Sequence, residues 1–205
     1  MLHKRKRSYY TKKGMLFMKN ILTVILIASM LVFGFTACSK NTQSGNTDSQ
    51  NSTPAETQST APSGTPEEII ESIYAEKSVD LRLMTTAIDL KSSDSVLYNL
   101  GLEDASSIKE AAVSEPMMSS QAYSLVIARV NDAADAGETA QAMFDGIDQR
   151  KWICVEADCL KVMTRGDLVL LFMVDSSFSD TVTTDEIETA FTAVCGGEPD
   201  LVLEK

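Results

Sequence analysis

Histidine is almost absent. The chain of 205 residues holds one, His3, close to its start. A folded body further along the sequence therefore has none. That excludes Ser-His-Asp and Cys-His catalysis as usually built, and every histidine-containing zinc site. Basic charge is also scarce, with 18 Lys and Arg against 29 Asp and Glu. Seven of those bases (Lys4, Arg5, Lys6, Arg7, Lys12, Lys13 and Lys19) fall in residues 1–37, which carry no acid. From Cys38 onward 11 bases face 29 acids, a net of −18. So acidic a surface repels nucleic acid and anionic lipid headgroups, and neither is expected as a partner of the folded part. No phosphate-cradling glycine loop is present, since Cys195-Gly196-Gly197 follows a helical pattern rather than opening one.

What is present near the start is a leader. Residues 1–20 are basic, and Ile21 to Phe35 reads ILTVILIASMLVFGF without a charge. Small residues and then Cys38 follow, the layout of a secretory signal. The apolar run falls short of the ~20 residues that span a bilayer, although Thr36 and Ala37 bring it near, so an uncleaved anchor is the competing reading. Phe35-Thr36-Ala37-Cys38 resembles the lipobox of bacterial lipoproteins: one apolar residue, two small ones, then cysteine. The resemblance implies that Cys38 receives a diacylglycerol and that a peptidase removes residues 1–37. Two acyl chains anchor durably where one does not. A start at Met18 or Met15 would give a more compact signal.

Ser39 to Thr65 then reads SKNTQSGNTDSQNSTPAETQSTAPSGT, with almost no large apolar residue. Such a segment cannot bury enough surface to offset its ordering entropy, so residues 38–65 are expected to be a lipidated cysteine followed by a disordered tether. As a coil it would span roughly 25–30 Å. Asn51-Ser52-Thr53 fits a glycosylation sequon, which is without meaning in a bacterial protein.

The expected folded domain is 66–205. Thr65-Pro66-Glu67-Glu68 carries a helix cap, and Ile70, Ile73 and Tyr74 then share a face. A short helix is expected from Asp94 to Asn99, stopped by Gly101. Strands are expected at 108–117 and 121–130, with Pro116 ending the first early or marking a bulge. A helix from Glu138 places Ala140, Met143, Phe144 and Ile147 together. Two more strands, 160–164 and 168–175, join through Arg165-Gly166-Asp167. A last helix begins at the Thr183 cap, groups Ile187, Ala190, Phe191 and Val194, and ends at Gly196. Strand-strand-helix thus occurs twice. The expectation is an α+β fold: a four-stranded, mainly antiparallel sheet with helices on one face, preceded by one or two helices. LVLLFMV (168–174) lacks alternation, so that strand should be central and covered on both faces.

Chemistry-bearing residues are sparse. Cys154, Cys159 and Cys195 could be buried apolar groups, hold one disulfide, or form a cysteine-only metal site. Asn131 to Glu138 holds Asp132 and Asp135 at a strand-to-helix turn. Two alanines interrupt the alternating oxygens of a calcium loop, so helix capping is the better account. Trp152 closes a core or, with Ile153, anchors a partner. Met117-Met118 reads as packing before binding surface. No catalytic, cofactor or metal-binding residue is assigned, and Cys38 is the one assigned site.

Several short stretches carry a resemblance: Ile88-Asp89-Leu90, Leu97-Tyr98-Asn99-Leu100-Gly101-Leu102, Tyr123 to Ala128, the helix ending near Arg150, and Gly166 to Leu171. Together they resemble domain of unknown function 4358, a family of lipoproteins of Gram-positive bacteria. The resemblance implies an extracytoplasmic, lipid-anchored α+β domain and brings no catalytic residue. The expected function is therefore a membrane-anchored lipoprotein on the extracytoplasmic face, binding an envelope protein or small ligand without catalysis. The alternatives are a carboxylate-based hydrolase of envelope glycans or peptides, and a structural accessory of a membrane complex.

Overall fold

The computed structural model describes residues 61–205. The expected signal segment, Cys38, the sequon and the expected tether up to residue 60 lie outside the described residues. Helix α1 (Pro66–Glu76) opens on a complete capping box, Thr65 accepting from the Glu68 amide and Glu68 from that of Thr65. Ile69, Ile70 and Ile73 form its buried face. Strand β1 (Leu83–Ala87) and helix α2 (Ser93–Leu100) follow, the helix closed by Gly101 at φ 69°. Then come β2 (Ile108–Pro116), β3 (Tyr123–Val130) and α3 (Ala136–Gly146). The second unit is β4 (Cys159–Arg165), β5 (Leu168–Val174) and α4 (Thr184–Cys195). Strand β6 (Leu201–Glu204) comes last.

The class is α+β, as the sequence pattern implies, and both strand-strand-helix units form. The count of four strands is corrected to six, in the order β1-β2-β3-β5-β4-β6, all antiparallel. The added strands are the two edges. They were not expected because LMTTA and LVLE are short and only half-buried, which leaves no strong apolar signal. Pro116 lies beyond the last β2–β3 pair, Ser114 with Leu125, so its missing N–H interrupts nothing in that ladder. The bulge falls at the other end of β2, between Ile108 and Glu110.

Helices on one face is the second correction. Ile69, Ile70 and Ile73 of α1 and Ile187, Ala190 and Phe191 of α4 pack on one side of the sheet, with Leu125, Ile127, Leu170 and Phe172. Val96 and Leu100 of α2 and Ala140 and Met143 of α3 pack on the other, with Val126, Ala128, Val169 and Leu171. Successive side chains of a strand point to opposite faces. Because β3 and β5 are buried along their whole length, both faces need a cover. The helix of each unit covers a different one. The expectation that 168–174 is central and doubly covered therefore holds, and it excludes a one-sided arrangement.

The described residues ahead of α1 are tied to the sheet. Arg129 Nη2 donates to the carbonyls of Pro62 and Gly64, 3.0 and 3.1 Å away. Arg129 is nearly buried and forms a forked pair with Asp167, at 2.6 and 2.8 Å, while its Nε lies 3.2 Å from Glu110. The chain thus enters the domain beside the C-terminal end of β3.

Candidate functional site

The opposite end of β3 carries the most unusual chemistry among the described residues. Lys151 lies in the connection between α3 and β4, and its side chain is 2% exposed. Its ammonium is 2.7 Å from Glu115 Oε1, an otherwise unpartnered buried oxygen near the end of β2. It donates to Ser124 Oγ at 3.3 Å, in β3, and sits 4.5 Å from the centre of the Tyr98 ring on α2. Trp152 supplies a second ring at 5.3 Å. Burial pulls the Lys151 pKa down, and Glu115 opposes that pull without cancelling it. Tyr98 is shifted up, first by burial and then by Glu115. A cation held against two ring faces beside one carboxylate is locally satisfied.

Around this pair the surface is apolar. The exposed large hydrophobic residues of the described chain are Met84, Leu97, Tyr98, Met117, Met118, Ile153 and Val202. All but Val202 lie beside the residues that contact Lys151, in sequence or in strand register. Met84 is the register partner of Glu115 across β1 and β2, so their side chains share a face. Leu97 adjoins Tyr98 on α2. Met117 and Met118 follow β2 directly, and Ile153 follows Trp152. Ile153 and Met117 are each 71% exposed. The next residue, Cys154, holds a left-handed conformation, φ 66°, which few non-glycine residues adopt.

A lysine of lowered pKa beside a serine hydroxyl is one way to activate a nucleophile. Ser124, however, is fully buried inside the sheet, where a substrate carbonyl has no approach. The carboxylates Asp104, Asp158 and Glu186 are held below their ordinary range. Hydrogen bonds from Ser106 and Ser176 lead the cause for the two aspartates, and one from Lys77 for Glu186. That is the wrong direction for a proton donor at neutral pH.

Trp152 is 8% exposed and closes the core, as the first of the two sequence readings has it, while its neighbour Ile153 faces outward. The body cysteines are free: Cys154 exposed, Cys159 half-buried, Cys195 buried. Only Cys195 fits the apolar reading fully, and burial pushes its thiol up to about 11. Asp132 caps a 3-10 turn by accepting from the Ala134 amide, whereas Asp135, at the N-cap of α3, makes no side-chain cap bond. Among the described residues no three His, Cys, Asp or Glu side chains are grouped to hold a metal. Nor is any described helix long and apolar enough to cross a membrane.

Comparison with family models, curated proteins and solved structures finds no match to this chain. The site must be read from its own geometry. Lys151, Glu115, Tyr98 and Ser124 escape sequence reasoning because they are ordinary residues on four separate segments. The one signal was the cation beside the sole tryptophan.

Proposed function

We propose that this protein is a lipid-anchored lipoprotein of the cell envelope, tethered by diacylglycerol on Cys38, whose α+β domain binds a partner without catalysis. In this reading residues 1–37 are a signal peptide, and the resemblance to the 4358 family of lipoproteins points the same way. The observation that carries the binding role is the gathering of Met84, Leu97, Tyr98, Met117, Met118 and Ile153 around one buried ion pair. Exposed apolar side chains concentrated in one place mark an interaction surface more often than a solvated one. A fixed cation and carboxylate beneath them add orientation. The chain enters the domain at the Arg129 end of β3, whereas this surface surrounds the Ser124 end. The strand therefore separates the point where the chain enters the domain from this surface by roughly 17 Å along its length. The acidic charge of the domain favours an envelope protein over an anionic bilayer as the occupant.

The test is photocrosslinking on intact cells, with the crosslinker at Ile153 and, as a control, at Val202. Expected is one protein captured from Ile153 and not from Val202, with capture falling when Tyr98 is changed to Ala. Equal labelling from both positions would overturn the assigned surface. Separately, a Cys38→Ser chain that still takes up a clickable fatty acid would overturn the anchor.

A further inference from the structure

We infer that strand β1 pairs antiparallel with β1 of a second copy of this chain, joining two sheets about a twofold axis at Thr85. Strand β1 is one edge of the sheet. Its ladder to β2 includes bonds from Met117 N–H to the Arg82 carbonyl and from Ile88 N–H to that of Ala111. By alternation Arg82, Met84, Thr86 and Ile88 turn their main chain toward β2, while Leu83, Thr85 and Ala87 turn theirs outward. The Leu83 N–H is taken by the Leu81 carbonyl. The amides and carbonyls of Thr85 and Ala87 and the Leu83 carbonyl remain directed away from the sheet.

Native edges are guarded by charge, proline or a covering segment. LMTTA contains neither charge nor proline. Edge β6, by contrast, is bracketed by Asp200, Glu204 and Lys205. Helix α1 packs on one face of β1, but Met84 and Thr86 stand exposed on the other. The edge and that face are both open.

A second copy is the occupant that the sequence of the edge fits. A dyad at Thr85 overlaps all five residues, setting Leu83 opposite Ala87 and Met84 opposite Thr86 of the second copy. Thr85 N–H then meets the Thr85 carbonyl across the axis, and Ala87 N–H meets the Leu83 carbonyl, each bond occurring twice. The two Met84 side chains fall diagonally across the axis on the exposed face, shielding each other from water. Beyond the strand the same register brings Arg82 within one residue of Asp89 of the second copy, and sets Asp80 opposite its Leu90, between Asp89 and Lys91. Arg82 with Asp89 and Asp80 with Lys91 are opposite charges that outnumber the one like-charged approach, Asp80 to Asp89, on a chain whose surface is otherwise overwhelmingly acidic. The five overlapping residues carry no charge of either sign. This interface shares Met84 with the surface around Lys151, but its strand pairing does not depend on that surface having a partner.

The register is tested with the full chain in detergent, in a Cys154→Ser background, under mild oxidation. Thr85 meets itself at roughly 5.5 Å between Cα atoms, within disulfide reach. Thr86 meets its own copy only diagonally, at roughly 7–8 Å, at or beyond that reach. Expected is about tenfold more disulfide-linked dimer from Thr85→Cys than from Thr86→Cys. Thr85→Pro removes an outward N–H while sparing the β2 ladder. It should sediment as a monomer where the parent chain sediments as a dimer, with its melting temperature preserved. Equal crosslinking from the two cysteine variants would overturn the inference. So would a parent chain that stays monomeric at every concentration, or a Thr85→Cys chain that traps only a foreign polypeptide.

Discussion

Lys151 gives up nearly all its hydration, and what it receives in return is one carboxylate, one hydroxyl, the Tyr98 carbonyl at 3.4 Å and two ring faces. Removing one member of such a pair costs more than the pair itself contributes, because the remaining charge stays buried without a counter-ion. Lys151→Met leaves Glu115 Oε1 against the core. The expected loss is roughly 2–4 kcal/mol, below the full figure for deeply buried pairs because Glu115 is 22% exposed. The double change Lys151→Met with Glu115→Leu removes the stranded charge and should recover more than half of that loss. Urea denaturation of the parent, both single variants and the double variant gives the coupling directly. Additive losses would mean the two groups do not stabilise each other. Buried Lys161 contrasts with this pair. Its ammonium meets Asp185 and Glu188 at 2.6 Å each and Glu204 at 3.6 Å. Burial lowers its pKa, but these acids outweigh burial and raise it, so it pins β4 to α4 and offers nothing to a ligand.

At the scale of elements, the position of Tyr98 depends on how α2 meets α3. Gly101 closes α2, and Gly146 is the last residue of α3; the two backbones touch. A Cβ on Gly146 would stand 2.1 Å from the Gly101 carbonyl oxygen, and one on Gly101 only 2.3 Å from the Ile147 nitrogen. Neither obstacle is a flexible side chain. Gly146→Ala must therefore separate the helix ends and should cost roughly 2–4 kcal/mol, more than ordinary overpacking. Gly137, in the first turn of the same helix, has nothing within 4 Å of its would-be Cβ. Gly137→Ala should stabilise by about 0.5–1 kcal/mol through helix propensity. Opposite shifts in melting temperature from the same substitution on one helix check both statements. Much of this scaffold is legible in the sequence. The boxes at Thr65 and Thr183, the 0, 3, 4, 7 spacing in α3 and α4, and the glycine of the β4–β5 turn each have a local cause and a local signal. The edge strands do not: LMTTA is held by pairing with β2 rather than by its own pattern. Nor does the assignment of helices to faces, since YSLVIARV and LVLLFMV are apolar on both sides and neither face is marked. The candidate site is legible least, because its cation, carboxylate, hydroxyl and ring come from α2, β2, β3 and a connecting loop, and only folding brings them together.

Across the whole molecule, charge is the dominant long-range term. Residues 61–205 carry 10 Lys and Arg against 27 Asp and Glu, a net of −17. Six of those bases, Lys77, Arg129, Arg150, Lys151, Lys161 and Arg165, are already committed to ion pairs. Salt acts on two opposing terms. It weakens the attraction within these pairs, but the closest of them are short and partly buried, where screening is least effective. It also weakens repulsion among the many surplus carboxylates, most of which face solvent and lie within a Debye length of one another at low ionic strength. The repulsive set is larger and more exposed, so it responds more. Stability should therefore rise with salt: raising sodium chloride from roughly 10 mM to roughly 500 mM should lift the melting temperature by about 3–6 °C. Calorimetry at several salt concentrations decides the sign, with sodium chloride preferred to sulfate because sulfate also strengthens apolar burial. A melting temperature that falls with salt would mean the ion pairs at Lys151, Lys161 and Arg129 outweigh the acidic surplus. In that case the acidic surface would act on the partners the domain attracts rather than on its own stability.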